Sequence, residues 1–155
     1  MNGYRPRVYV ASKLNEYKMW QVFANDDEWR FCKFTASWPW KAHLEWETTD
    51  RPSADVLREA WQINVREVLD SDFVLLYARL NPGLKGALVE CGVALGAGIR
   101  IVAVGLEPEH TWGAHHLVIH VPTLKEARAY LLRYTVMVPP RNRRSSDAQS
   151  TDRDD

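Results

Sequence analysis

Glu90 is the residue of this 155-residue chain whose type and surroundings are best suited to catalysis or ligand binding. It lies in residues 84–98, LKGALVECGVALGAG, a segment that we predict to be largely helical. On a helical wheel with about 100° per residue, Leu88, Cys91 and Leu95 share one face. We predict that this face packs on a sheet and that Glu90 points nearly the opposite way, among mostly small residues. Such a carboxylate has room beside it for a ligand, and the alternative is an ordinary solvated glutamate.

Asn64 is the second candidate, because it falls on the apolar stripe of a predicted helix that begins after Ser53 and ends near Leu69. The other members of this stripe are Leu57, Ala60, Trp61 and Val68. A buried amide without partners costs about 1–3 kcal/mol. Asn64 therefore either bonds to a neighbouring loop or reaches the same edge of the sheet as Glu90.

Lys85 and Gly86 open the helix that carries Glu90. A helix N-terminus offers free N–H groups and a partial positive charge, so an anion could dock there, with the Lys85 ammonium adding to the attraction. The alternative is a solvated lysine. The glycine patterns of dinucleotide-binding and P-loop proteins are missing from the sequence, which excludes those two phosphate sites.

Short apolar runs alternate with helical patterns along the chain, which predicts a parallel sheet covered on both faces. We expect an α/β fold: one domain with a five-stranded, mostly parallel sheet of flavodoxin or Rossmann type. Ligands of such sheets bind outside the carboxyl ends of the strands. The predicted strands are Arg7–Ala11, Phe31–Ala36, Phe73–Tyr77, Ile101–Val104 and Leu117–Val121, and the predicted helices are Leu14–Ala24, Ala54–Leu69, Lys85–Ala97 and Leu124–Tyr134.

Composition narrows the class of protein. Lys and Arg number 20, as do Asp and Glu, and this balance argues against a protein that coats nucleic acid. No apolar run approaches the ~20 residues of a membrane span, and the N-terminus has no signal-peptide layout. Two cysteines, Cys32 and Cys91, favour a reducing cytoplasm and supply too few ligands for a zinc site. We predict a folded domain over residues 1–138 and a disordered polar tail over 139–155.

Several stretches together resemble the nucleoside 2-deoxyribosyltransferase superfamily, which includes the 2'-deoxynucleoside 5'-monophosphate N-hydrolases. They are VYVAS in the first strand, NVREVLDSDFVLLYA, GALVECGVALGAGIRIVAVG and the closing HHLVIHVPTLKEARAYL. The resemblance spans roughly residues 7 to 134, and its E-x-G-x-A-x-x-x-G core is moderately specific. It implies an enzyme that cleaves or transfers the N-glycosidic bond of a 2'-deoxynucleoside or its 5'-monophosphate, without a cofactor or metal, and that assembles as a homo-oligomer.

Matched by position, the resemblance gives Glu90 the role of nucleophile, which forms an ester with the anomeric carbon of the deoxyribosyl group. Tyr9 matches a first-strand tyrosine that orients the nucleophile. Ser12, in the next loop, would line the sugar or phosphate side, where Lys85 and Gly86 would also contribute.

Two positions depart from the family pattern. Asn64 stands where transferases carry an aspartate that helps protonate the leaving base, and proton transfer of this kind contributes about 10²–10⁴-fold to a rate. Leu84 stands where transferases carry an aspartate for the 5'-hydroxyl and the monophosphate hydrolases a serine. With Lys85 beside it, the site would suit a 5'-phosphate better than a free hydroxyl.

Residues 29–46 hold four of the seven tryptophans. In the family this region builds the variable wall that contacts the base, and stacking of a base on an aromatic ring is worth about 1–3 kcal/mol. Trp38, Trp40 and Trp46 are therefore candidate base contacts. An aromatic core or a dimer contact would explain them equally well.

Two other functions compete with N-glycosidic cleavage. The first is a non-catalytic nucleotide-binding or regulatory module that kept the fold, which Asn64 favours because an amide cannot act as an acid. The second is an NAD glycohydrolase, since related sheets place a glutamate similarly for release of nicotinamide. The carboxylate at Glu90 favours an enzyme.

Overall fold

The computed structural model describes residues 4–13, 16–35, 53–79, 84–106 and 111–137 of the chain. Its centre is a five-stranded sheet in the order β2-β1-β3-β4-β5, in which all neighbouring strands are parallel. The strands are β1 (Arg7–Ala11), β2 (Lys33–Thr35), β3 (Phe73–Tyr77), β4 (Arg100–Val104) and β5 (Val118–Val121), and the α-helices are α1 (Tyr17–Ala24), α2 (Ala54–Leu69), α3 (Lys85–Gly96) and α4 (Leu124–Met137). The predicted α/β class is confirmed.

Each face of the sheet carries its own apolar core. Tyr9 and Val74 belong to the layer that includes Cys91 of α3. Val8 and Leu75 belong to the opposite layer, with Trp20 of α1 and residues of α4. Side chains alternate between faces along a strand, so both faces of the central strands must be apolar. This is why β3 reads as the unbroken run FVLLY, every residue of which is buried.

The strand order creates a switch point between β1 and β3. The helix that follows β1 covers one face of the sheet, and the helix that follows β3 covers the other. Ligands of such folds bind outside the carboxyl ends of the strands at a point of this kind. Ser12 and Arg79 are described residues that follow the two strands at this end of the sheet.

Most predicted elements are confirmed, with differences at their ends. β2 spans Lys33–Thr35 within the predicted Phe31–Ala36, of which residue 36 lies outside the described residues. Helix α4 extends to Met137, three residues beyond the prediction. Ser53 caps α2, since its Oγ accepts a hydrogen bond from the backbone N–H of Val56 at 3.3 Å.

The predicted apolar stripe of α2 is wrong at two positions. Leu57 and Trp61 are 46% and 36% exposed, whereas Ala60 and Val68 are buried. The buried residues of α2 are Ala60 and Val68, and Asn64 lies between them, since the four-residue spacing keeps all three on one side of the helix. Asn64 is thus in the middle of the row that faces inward.

Among the described residues, no helix is long and apolar enough to cross a membrane. The predicted tail over 139–155 lies outside the described residues, as do Trp38, Trp40 and Trp46.

Arg79 and Gly105 form a tight contact at the carboxyl edge of the sheet. Arg79 has a φ of 30°, and Gly105 has a φ of 66°. The backbone N–H groups of Ala78 and Arg79 both donate to the carbonyl oxygen of Val104, at 2.9 and 3.0 Å. A left-handed backbone costs a residue with a Cβ about 1–2 kcal/mol. The two bonds to one carbonyl hold Arg79 in this conformation nevertheless.

We expect Gly105→Ala to lower the free energy of unfolding by about 2 kcal/mol or more. Alanine at position 105 would have to keep the positive φ of the glycine, and its Cβ would lie 2.9 Å from the Cα of Arg79. Gly92→Ala is the matched control, because a Cβ there meets no atom within 4 Å and the residue lies inside α3. It should stabilise the protein by about 0.5–1 kcal/mol. Chemical denaturation measures both, and equal effects would contradict the account of this turn.

Candidate active site

Glu90 lies in the second turn of α3 and is only 8% exposed. Its Oε1 accepts two hydrogen bonds. The phenolic O–H of Tyr9 donates at 2.7 Å, and the amide Nδ2 of Asn64 donates at 3.1 Å. Within the described part of the chain no hydrogen bond to Oε2 is recorded, so one oxygen of the carboxylate is held and the other is left for a reacting atom.

Three elements bring these groups together. Tyr9 is in the middle of β1, with its side chain on the sheet face covered by α2 and α3. Asn64 lies on the inward row of α2, and α2 packs against α3. The bonds join residues 81 and 26 positions apart in sequence. Only the packing of both helices on one face of the sheet makes the cluster.

Helix α3 is turned differently from the prediction made on a helical wheel. Leu88, expected against the sheet, is 40% exposed, whereas Ala87, Glu90 and Ala94 are buried together with Cys91. Because α3 touches both the sheet and α2, a wide arc of it is buried. The small side chains of Ala87 and Ala94 permit this close packing. Glu90 therefore points into the domain, not away from the sheet.

Burial dominates the electrostatics of the site. Loss of solvation raises the pKa of Glu90 to about 7, although the hydrogen bonds from Tyr9 and Asn64 act in the opposite direction. Burial and the nearby Glu90 charge raise the pKa of Tyr9 far above its ordinary value, so the phenol keeps its proton and remains a donor. The same two causes raise the pKa of the Cys91 thiol to about 12, and that thiol stays neutral near pH 7.

This arrangement suits nucleophilic attack by a carboxylate. Two neutral donors on Oε1 fix the orientation of the group without neutralising its charge, and the partial desolvation makes it more basic than a surface glutamate. A buried carboxylate with one oxygen fixed by hydrogen bonds can form a covalent ester through the other.

Ser12 is the first residue after β1, but its hydroxyl is already engaged. Trp20 of α1, which is 1% exposed, donates from Nε1 to the Ser12 Oγ at 2.8 Å, and Ser12 donates to the carbonyl oxygen of Lys13 at 3.3 Å. Trp20 is not among the site residues predicted from the sequence. A buried indole N–H needs an acceptor, and that requirement was the available signal.

Lys85 and Gly86 form the exposed first turn of α3, and no side chain caps this helix. A Cβ on Gly86 would meet no atom within 4 Å, so the space beside it is open. Among the described residues, no recorded hydrogen bond joins the Lys85 side chain to Tyr9 or Glu90. Among the described residues, no group of three or more His, Cys, Asp or Glu side chains could hold a metal ion.

No protein-family model and no curated protein matches the chain. Among solved structures, the chain is similar to that of the Clostridium botulinum CMP N-glycosidase BcmB, with a TM-score of 0.48 and 16% sequence identity. The match covers 84% of this chain and 98% of that one.

The buried charge of Glu90 should destabilise the fold above neutral pH. Its pKa is about 7 in the folded chain against an ordinary 4.5, so ionised Glu90 lowers the free energy of unfolding by about 3 kcal/mol. This penalty is absent below pH 4.5 and complete above pH 7. We therefore expect Glu90→Gln to be about 2–3 kcal/mol more stable than wild type at pH 8, and the difference to shrink near pH 5.

Denaturation curves at the two pH values measure this difference. Glu59→Gln is the control, because Glu59 is an exposed carboxylate on the same domain, and its effect on stability should be small at both pH values. A Glu90→Gln variant that gains no stability at pH 8 would show that the Glu90 charge carries no penalty in the folded chain.

Proposed function

We propose that the protein cleaves or transfers the N-glycosidic bond of a 2'-deoxynucleoside or its 5'-monophosphate, with Glu90 as the nucleophile. The observation that carries this proposal is the pair of donors on one oxygen of a buried carboxylate, at 2.7 and 3.1 Å. The order of elements that resembles the nucleoside 2-deoxyribosyltransferases adds the substrate class.

The reaction proceeds in two steps. Oε2 of ionised Glu90 attacks the anomeric carbon, the bond from that carbon to the base nitrogen breaks, and the electron pair leaves with the base, which takes a proton from solvent. The glycosyl ester is then opened at the same carbon, by water in a hydrolase or by a second base in a transferase, and Glu90 is released as a carboxylate. Two displacements retain the configuration of the sugar.

Tyr9 and Asn64 act in this scheme as positioning residues. Each donates to Oε1 and so favours the ionised nucleophile over its protonated form. Asn64 stands where the transferases carry an acidic aspartate, and its amide donates a hydrogen bond to the Glu90 carboxylate. Lys85 and Gly86 remain candidates for the phosphate side, Trp38, Trp40 and Trp46 for the base side, and a homo-oligomer in the cytoplasm remains our expectation.

The direct test is release of free base. The protein is incubated with each of the four 2'-deoxynucleosides and each of their 5'-monophosphates, and chromatography follows the base. We expect release from at least one substrate, a covalent sugar adduct on Glu90 by mass spectrometry, and loss of about 10³-fold or more in rate for Glu90→Ala. Glu59→Ala is the matched control and should retain full activity. No release from any substrate by folded protein would refute the proposal.

Asn64→Asp distinguishes a positioning amide from a missing acid. A carboxylate at position 64 would lie beside Glu90, and two close carboxylates raise the pKa of the pair. Since the pKa of Glu90 is about 7, we expect the acidic limb of the plot of kcat/KM against pH to lie near pH 7 in wild type and at higher pH in Asn64→Asp. The rate at pH 7 should fall. Tyr9→Phe, which removes the other donor, should move the limb in the same direction. A rate increase at pH 7 in Asn64→Asp would instead assign position 64 to an acid.

The second candidate is a nucleotide-binding module without activity. The observation that favours it is the amide at Asn64, which has no proton to give a leaving base. This candidate predicts that nucleotides bind with no base release, and that Glu90→Ala leaves their affinity nearly unchanged.

A further inference from the structure

Thr35 carries a buried hydroxyl that the described part of the chain does not use. It is the last residue of β2, at the carboxyl edge of the sheet, and is only 3% exposed. Its Oγ1 has no hydrogen-bond partner among the described residues. Most buried polar groups are hydrogen-bonded, and each exception needs an explanation, because an unpaired hydroxyl destabilises a fold. Valine would fill the same space in a strand without this cost.

The register of the sheet places the Thr35 side chain on the same face as Glu90. In the parallel pairing of β1 with β2, Thr35 is the partner of Tyr9, and Phe34 is the partner of Val8. Val8 and Phe34 belong to the apolar core on the side of α1 and α4, whereas Tyr9 belongs to the core on the side of α2 and α3. Because side chains alternate between faces along a strand, Thr35 lies on the side of Tyr9.

Thr35 is a near neighbour of the cluster around Glu90. Adjacent strands are about 5 Å apart, and the phenol of Tyr9, on the adjacent strand, donates to Glu90. Tyr9 and Asn64 both bond to Oε1. Within the described residues, the Thr35 hydroxyl and Oε2 of Glu90 are therefore the polar groups of this region that have no recorded partner. A nucleoside is longer than one strand spacing, so a nucleoside whose anomeric carbon contacts Glu90 has polar atoms at the separation of Thr35.

We propose that the Thr35 hydroxyl forms a hydrogen bond to the nucleoside whose N-glycosidic bond Glu90 attacks, and that Thr35 is a specificity-determining residue. This inference rests on the proposed function for the identity of the ligand. A hydroxyl both donates and accepts, so the matching group is a sugar hydroxyl or a polar atom of the base. Since the Thr35 hydroxyl has no bond to give up within the described chain, the new bond adds to affinity.

Thr35→Val removes the hydroxyl and keeps the shape of the side chain. We expect this variant to melt at or above the temperature of wild type, because an unpaired buried hydroxyl is lost. Ser71→Ala is the matched control: Ser71 is also 3% exposed, but its Oγ donates to the carbonyl oxygen of Val68 at 2.7 Å. Ser71→Ala should melt at a lower temperature. If Thr35→Val loses as much as Ser71→Ala, the Thr35 hydroxyl has a structural partner and the proposal is overturned.

Binding is measured by calorimetry in a Glu90→Gln background, where the ligand is not consumed. The probes are the four 2'-deoxynucleosides, their 5'-monophosphates and the 2',3'-dideoxy analogues of both. We expect Thr35→Val to weaken the binding of at least one 2'-deoxy probe by about 3–10-fold, the size of one neutral hydrogen bond. Thr35→Ser keeps the hydroxyl and should retain most of the affinity, and Ser71→Ala should leave it unchanged.

The pattern of the losses assigns the bonded group. A loss that is equal for all four bases and disappears in the dideoxy analogues assigns the bond to the 3'-hydroxyl, whereas a loss confined to some bases assigns it to the base. Either pattern supports the role of Thr35, even if wild type releases no base and the proposed reaction fails. Unchanged affinity in Thr35→Val, equal losses in Thr35→Val and Thr35→Ser, or no binding of any probe overturns that role, whatever the activity.

Discussion

The burial of one carboxylate constrains the rest of this domain. Glu90 stays ionisable near neutral pH only because Tyr9 and Asn64 donate to the same oxygen. Those donors come from a strand and a second helix, so β1, α2 and α3 must keep their relative positions for the charge to be tolerated. An unpartnered charge at this depth would be strongly destabilising. The fold and the chemistry of the site are therefore coupled through a single oxygen atom.

The parallel sheet supplies the second requirement, a place for a ligand. The strand order 2-1-3-4-5 puts the first helix on one face and the helices around Glu90 on the other. Polar groups lie on both faces of the sheet near this switch point. On one face is the cluster around Glu90, and on the other are the contacts of Trp20 with Ser12 and Tyr77 and of Tyr77 with Arg79.

Glu90 and Arg79 depart from local preference in different ways. On the Glu90 side, a charged residue occupies the buried arc of a helix that is otherwise built from small and apolar side chains. On the other side, an arginine adopts a positive φ, for which the glycine at position 105 leaves room. Both departures lie at one edge of a sheet whose strands follow their predicted pattern closely, and conflicts between local rules and fold are expected where function is located.

Much of the fold follows from the sequence alone, because buried parallel strands need continuous apolar runs, and those runs are visible in FVLLY and its neighbours. Glu90, Tyr9 and Asn64 were likewise identifiable from their residue types, their places on predicted elements and a family resemblance. The direction in which Glu90 points could not be identified from the sequence. The residues of α3 are small and apolar on almost every side of the helix, so the packing of α2 decides which side is buried. The shared oxygen, the Trp20–Ser12 bond and the left-handed Arg79 also required the tertiary structure. Each depends on atoms brought together by strand register and helix packing, which no local pattern of residues encodes.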